Sequence, residues 1–352
     1  MRSALIFLVL LLCACQTGKR TEKSTQKSIA NYCRYSKYLS IKDSLGGYVV
    51  LIQHPDSKHR YYHLFIAQPT KRLSVLSSTH IGMLSALHQE NAIVGISDLR
   101  FVFSPLVRNR TLAKQIVQLD QAQSEQTISV DKLLESKTEY VVYSAFSGSF
   151  SNEERLRKLG IQCIPDYDWR EESALGKAEW VLLFGALTGK MQEAKHLFST
   201  IEKAFQKEKI KLSSVHQPER MISGNVTGDF WYAPAGDSYM SQLYRESGFH
   251  YIYQHVKGTG SLAYSMEKIM KDGQQVQIWM NPGFPTRSAI LGANPKAKYL
   301  PFFSNARIYC YTNNSNKYWE LSALRPDWLL ADFHAILTNN QGKKRYFYQE
   351  VR

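Results

Sequence analysis

The stretch from Ser173 to Lys211 most constrains what this chain can fold into. From Leu187 the apolar residues fall at Leu187, Met191, Ala194, Phe198, Ile201 and Phe205. Steps of three and four put them on one helical face. Lys190, Glu193, Lys195, Glu202, Lys203 and Lys207 take the other. No proline interrupts the run, and Lys207, Lys209 and Lys211 suit a helix C-terminus. Gly189 is the weak point, where two helices can meet. The piece beyond it has about 22 residues and measures roughly 33 Å, one domain diameter. Short β runs alternating with helices precede it and follow it, which predicts two α/β halves joined by a strut, with a cleft between them.

The 352 residues suffice for two lobes of ordinary size. The formal charge is +14, but Lys and Arg are scattered and read as solvated surface. The N-terminus narrows the class further. Met1-Arg-Ser is a basic start, and Ala4 to Leu12 is an apolar run too short to span a bilayer but right for a signal-peptide core. Leu12-Cys13-Ala14-Cys15 resembles the bacterial lipobox, with cleavage before Cys15 and lipid on its thiol. Gln16 to Ala30 is rich in Thr, Lys, Ser and Gln and suits a tether. An exported chain argues against a nucleic-acid role. The thiols of Cys33, Cys163 and Cys310 allow at most one internal disulfide and show no metal-ligand spacing.

Along the chain, Tyr48–Ile52 and Tyr61–Ala67 read as a hairpin, with His54, His59 and His63 facing solvent. Strands follow at Leu73–Ser77, Ala92–Ser97, Tyr140–Ser144 and Gly160–Pro165, separated by helices. In the second half strands are expected at Glu219–Ser223, Val276–Met280 and Ala306–Tyr311, with helices at Ser238–Gly248, Ser265–Lys271 and Arg325–Leu337. The expected division is a signal peptide (1–14), a lipidated tether (15–34), an N-terminal lobe (35–188), the linker helix (189–212) and a C-terminal lobe (213–352).

Open α/β sheets bind ligands beyond the carboxyl ends of their strands. The segments there are rich in aromatics and glycine: Phe146 to Phe150, Asp166 to Arg170, Phe230-Trp231-Tyr232, Gly258 to Tyr264, and Trp279 with Asn281 to Gly283. Such loops suit a flat or bulky ligand. His80 stands after the first strand, placed to contact a ligand or cap its helix. Asp166 and Asp168 alternate on an extended loop and are expected to point apart. Gly185-Ala-Leu-Thr-Gly189-Lys190 falls one residue short of a P-loop and lacks its Ser or Thr.

Leu73-Ser-Val-Leu-Ser-Ser-Thr-His80, the Ser129 to Ser144 segment, Lys158 to Ile164, Phe184 to Lys190, Gly258 to Ser261 with Met266-Glu267, and Leu324 to Ala331 together resemble the substrate-binding lipoproteins of bacterial ABC importers for cobalamin, ferric siderophores or haem. The resemblance runs from about Tyr48 to Tyr348. It implies two Rossmann-like lobes on one rigid helix, no catalysis, and no resident cofactor. It implies binding residues from both lobes: Ser78, Thr79, His80, Phe146, Ser147 and Phe150 from the first, Trp231, Tyr232, Tyr239, Ser261 and Tyr264 from the second. On this reading Trp231→Ala weakens ligand binding and leaves the fold intact. The implied partners are the permease and ATPase subunits, a metal-chelate ligand, and the membrane through the lipid on Cys15; the protein itself is a monomer. Glu246 is available as a permease-docking acid in the Ser238–Gly248 helix. Two alternatives stay open: a zinc- or manganese-binding importer protein, which needs about four converging His, Glu and Asp ligands, and an exported two-lobed hydrolase, for which neither a nucleophile elbow nor a carboxylate pair is evident.

Overall fold

The structure, a computed structural model, describes residues 30–119, 128–146, 152–213, 219–311, 317–340 and 342–352. Cys15, Ser147 and Phe150 lie outside these residues.

The first described element is an antiparallel meander, β1 (Leu39–Ser44), β2 (Gly47–Gln53) and β3 (Tyr61–Ile66). The hairpin read from the sequence is β2–β3. The strand β1 was not foreseen, because Leu-Ser-Ile-Lys-Asp-Ser offers only two apolar residues to mark its alternation.

The first lobe is built on β4 (Leu73–Val75), β5 (Ile93–Ile96), β6 (Val117–Gln118), β7 (Tyr140–Ser144) and β8 (Gln162–Asp166). They pair in the order β6-β5-β4-β7-β8, all parallel. The β4 and β8 side chains are almost wholly buried, as expected of strands covered on both faces. The helices α1 (Ser78–Ala86), α2 (Pro105–Leu112), α3 (Val130–Glu135) and α4 (Glu153–Lys158) supply the crossovers. Ser77 caps α1 by accepting the Thr79 amide at 3.3 Å.

α5 (Ala174–Ala178) and α6 (Val181–Thr188) lead into the long helix α7 (Met191–Leu212). Gly189 separates the last two in the left-handed region, φ +71°, where other residues pay a steric cost. Met191, Ala194, Phe198, Ile201 and Phe205 are buried along α7, on the face the sequence predicts. Segment 34–38 is pinned beside it: the Glu179 carboxylate accepts the amides of Arg34, Tyr35 and Ser36, each at 2.7 Å.

The second lobe holds β9 (Arg220–Ser223), β12 (His250–Tyr251), β14 (Ile278–Met280), β15 (Arg307–Tyr311) and β16 (Tyr348–Glu350), ordered β12-β9-β14-β15-β16. All are parallel except β16. A small antiparallel sheet, β10 (Asn225–Thr227), β11 (Phe230–Pro234) and β13 (Ser261–Ser265), is added to it. The lobe's helices are α8 (Tyr239–Glu246), α9 (Met266–Asp272), α10 (Arg287–Ala293), α11 (Tyr318–Leu321) and α12 (Pro326–Leu337). α12 packs on α7, and α11 crosses to pack on α1 of the first lobe. The architecture is therefore two Rossmann-like lobes of parallel sheets flanked by helices, joined by a single long helix.

Cys33, Cys163 and Cys310 are buried free thiols. Among the described residues no helix is long and apolar enough to cross a membrane.

Candidate functional site

The carboxyl ends of β4, β7 and β8 place their loops side by side, because those strands are neighbours in register. Phe146 follows β7 and Trp169 follows β8. Their ring centroids are 4.8 Å apart, and Phe146 stays 60% exposed. The Arg170 guanidinium also lies over the Trp169 ring, 5.3 Å from its centroid, and pairs with Asp56 at 2.9 Å. This is an open aromatic shelf with a cation at its edge.

Beside it, α1 begins. Ser78 Oγ donates to the Phe101 carbonyl at 2.6 Å, and Thr79 Oγ1 to the Trp319 carbonyl at 3.4 Å. Both residues are half-buried at this junction. Trp319 is about half exposed and meets Tyr311, the last residue of β15, at 5.5 Å edge to face. Tyr311 in turn stacks on Tyr318 with rings 3.7 Å apart. Aromatics from both lobes thus border the strand ends. The sequence reading missed Tyr311, Tyr318 and Trp319. The strand-end rule applied to β15 would have found them.

A buried polar cluster underlies the rim. His80 is fully buried, with Nε2 2.9 Å from Asp166 Oδ2 and its ring tilted against Phe184 at 5.5 Å. It therefore supports the strand end and does not reach a ligand, a correction to the expectation. Successive residues of a helix turn by about 100°, so the step from Thr79 to His80 carries the side chain from the rim into the core. Asp166 also accepts the Asp168 amide at 2.6 Å, while the Asp168 carboxylate faces Lys177 Nζ at 3.4 Å. The two acids diverge to separate partners. Burial raises the Asp168 pKa to about 6, against the pull of Lys177 and helped by Asp166. Lys177 Nζ lies 4.8 Å from the Tyr239 ring of α8, so the cluster links the two lobes. Burial lowers the Lys177 pKa, but Asp168 and the other anionic partners outweigh it, and the net shift is upward. Among the described residues no three His, Cys, Asp or Glu side chains converge as a metal site.

The second-lobe expectations need more correction. Phe230 to Tyr232 is part of β11, not a loop. Alternation sends Trp231 inward, where it is 0% exposed and packs on Trp279 at 5.4 Å and Phe302 at 6.1 Å. Its Nε1 donates to the Ser223 carbonyl at 3.2 Å. Trp231 and Trp279 are core residues with no surface to offer a ligand. Tyr232 points outward from the same strand, with Ser261 on that face of β13. Tyr264 lies on the other face, paired across the strands with Trp231, and its ring is tilted against Tyr253 at 4.6 Å. Ser261 and Tyr264 therefore cannot line one wall together. Glu246 does not stand free: it pairs with Lys209 of α7 at 3.2 Å, beside a cavity of about 230 Å³ that Tyr239 and Gln242 also line.

Comparison with known proteins agrees with the two-lobed fold. Residues 73–315 match the sequence profile of a family described as periplasmic binding protein. An uncharacterized lipoprotein of Methanocaldococcus jannaschii is 25% identical over 297 residues, which is 80% of this chain and 68% of that one. The periplasmic haem-binding protein HutB of Vibrio cholerae superposes with a TM-score of 0.58 at 15% identity, over 77% of this chain and 100% of the other. The petrobactin-binding protein of Bacillus subtilis gives 0.59 at 14% identity, over 82% and 98%. With a profile match over most of its length and this two-lobed fold on one helix, the chain belongs to the periplasmic binding protein family.

Proposed function

We propose that the chain is the substrate-binding lipoprotein of an ABC importer, capturing a cobalamin, ferric siderophore or haem-type chelate between its lobes and delivering it to a membrane permease and its ATPase. The aromatic shelf of Phe146 on Trp169 carries this reading. A large conjugated or macrocyclic ligand gains most of its affinity from apolar area and ring stacking, which an exposed phenyl at a strand end offers. Arg170 adds a cation for carboxylate or phosphate groups on such a chelate. Trp319 and Tyr239 supply second-lobe contacts. The lipid on Cys15 holds the protein at the membrane where the permease works. Structures of similar fold include proteins described as binding haem, petrobactin and vitamin B12.

Absorbance and thermal-shift titration of the purified protein against cobalamin, haem and ferric siderophores, with zinc and manganese alongside, tests the proposal. A coloured chelate that binds at micromolar or tighter concentration and raises the melting temperature supports it. Phe146→Ala then weakens that binding with the melting temperature of the free protein unchanged. A response to bare zinc or manganese alone sinks the chelate reading, and so does silence across the whole panel.

A further inference from the structure

The family profile begins at residue 73 and leaves out the segment that opens the described chain. Residues 34–38 of that segment form a strap outside any sheet. Two buried carboxylates of the first lobe, Glu171 and Glu179, hold it. Glu179 accepts the backbone N–H groups of Arg34, Tyr35 and Ser36. Glu171 accepts those of Lys37 at 2.9 Å and Tyr38 at 3.4 Å, along with the Ser36 hydroxyl and Trp180 Nε1. Five successive amides thus end on two buried acids. Burial raises the pKa of both carboxyls, and the strap's N–H groups pull it back. The need is mutual, since buried carboxylates require donors and strap amides that join no sheet require acceptors. The outer side chains tie the strap to α7, where Arg34 pairs with Glu202 at 2.6 Å and Lys195 lies over the Tyr32 ring at 4.4 Å.

The two acids stand on either side of α5, and α5 carries Lys177. A Cβ on Gly176 would lie 2.9 Å from the Tyr35 carbonyl oxygen, so the strap directly touches the turn that holds Lys177. Elsewhere α5 packs on α8 and α12 of the second lobe, and the Lys177 ammonium meets the Tyr239 ring of α8. Tyr35 of the strap, Leu175 of α5 and Tyr239 and Gln242 of α8 all line the cavity of about 230 Å³. A close-packed junction leaves no room for displacement, whereas a cavity of this size does. α8 therefore has space to shift against α5, and α5 itself is held from the side of the strap.

We propose that the strap sets the lobe junction: by gripping α5 through Glu171 and Glu179 it keeps Lys177 against Tyr239, and when the grip is released the second lobe moves into the cavity. Glu171 and Glu179 are then positioning residues for the width of the cleft, acting through Lys177. The inference goes beyond ligand capture and holds whatever ligand the cleft takes, because it places part of the control of the cleft in a segment that precedes the family's own residues.

The test uses the purified full chain and needs no ligand. Acetylation by acetic anhydride, read by peptide mass, reports the accessibility of Lys177, and amide hydrogen exchange reports α8. Glu179→Gln turns an NH2 group towards the strap donors and loosens the grip on one side of α5. In that variant Lys177 is expected to acetylate several-fold faster than in the native protein, and α8 to exchange several-fold faster, while β4, β7, β9 and β14 keep their native rates. Support of the strap alone would leave α8, an element of the other lobe, unmoved. Faster exchange confined to 34–38 and α5, with Lys177 acetylation and α8 exchange as in the native protein, overturns the proposal. A rise spread evenly over both sheets overturns it as well, because the acids then only stabilise the fold as a whole. If Glu179→Gln does not fold, Ser36→Ala, which removes one hydroxyl from Glu171 and leaves the five amides, decides by the same two readouts: a smaller rise in both supports the proposal, and native rates in both overturn it.

Discussion

The Glu320 carboxylate accepts the Ser104 backbone N–H at 2.8 Å, and with it the Phe103 N–H at 2.6 Å. Glu320 sits in α11, which follows the last parallel strand of the second lobe; Ser104 stands just before α2 of the first, and its own side chain makes no capping bond. The contact is buried, so a second-lobe carboxylate satisfies orphan donors at a first-lobe helix start. Burial raises the Glu320 pKa, and the two amides oppose it. The lobes are thus held together by a buried contact in addition to α7.

Glu320→Ala should leave two buried N–H groups without a partner. The expected loss is about 2 kcal/mol of unfolding free energy. It should also raise hydrogen exchange selectively at Phe103 and Ser104, ahead of the sheet amides. Uniform exchange across the chain would mean that Glu320 only supports the local helix and does not clamp the lobes.

Gly82 is the other side of this clamp. A Cβ at Gly82 would land on the Glu320 backbone carbonyl, which belongs to a rigid helical turn and cannot swing away. Gly82→Ala should therefore push α11 off α1 and cost about 1–3 kcal/mol, although alanine is the better helix former. A thermal melt combined with small-angle scattering checks it. An unchanged or higher melting temperature would show that the two helices separate freely.

Trp231→Ala now carries a different expectation from the one its sequence context suggested. The side chain fills the core between Trp279 and Phe302, so its removal should cost about 3–5 kcal/mol. Urea denaturation gives the number directly. A loss under 1 kcal/mol, on the order expected for surface sites, would put the ring back at the surface.

That reversal shows what the sequence could tell. The long helix, its Gly189 break and most parallel strands were legible, because period and turn chemistry are local. Aromatic composition misled at 230–232. Phe230 to Ala233 is an unbroken apolar run with no alternation to read, and only in the structure, where Gly228 turns the chain before it with φ +62° and the segment pairs as a strand, does its burial alternate. Which face of such a strand is buried depends on the partner sheet, which no local pattern records. The same holds for His80, whose place in the core depends on Asp166, 86 residues away. Phe146 and Thr79 could be placed at the rim because they follow strands of one parallel sheet.

Acid should strengthen one part of the fold before it weakens the rest. Asp332 accepts the amides of Tyr346, Phe347 and Tyr348 at 2.6, 2.7 and 2.9 Å. Burial still outweighs these bonds and lifts its pKa from 3.8 to about 6. Asp168 is raised to a similar value, again chiefly by burial. A carboxyl whose folded pKa exceeds its unfolded one binds protons more readily in the folded state between the two values. Its contribution therefore grows as the pH falls from about 6 towards 4, and is lost as the pH rises through 6. Between pH 7 and pH 5 this amounts to about 1 kcal/mol for Asp332. Urea midpoints at the two pH values, compared with Asp332→Asn, isolate it: the gain on acidification should be larger in the native protein than in the variant. Equal gains would mean that the three amides hold Asp332 ionised throughout, and that its burial costs less than the pKa implies.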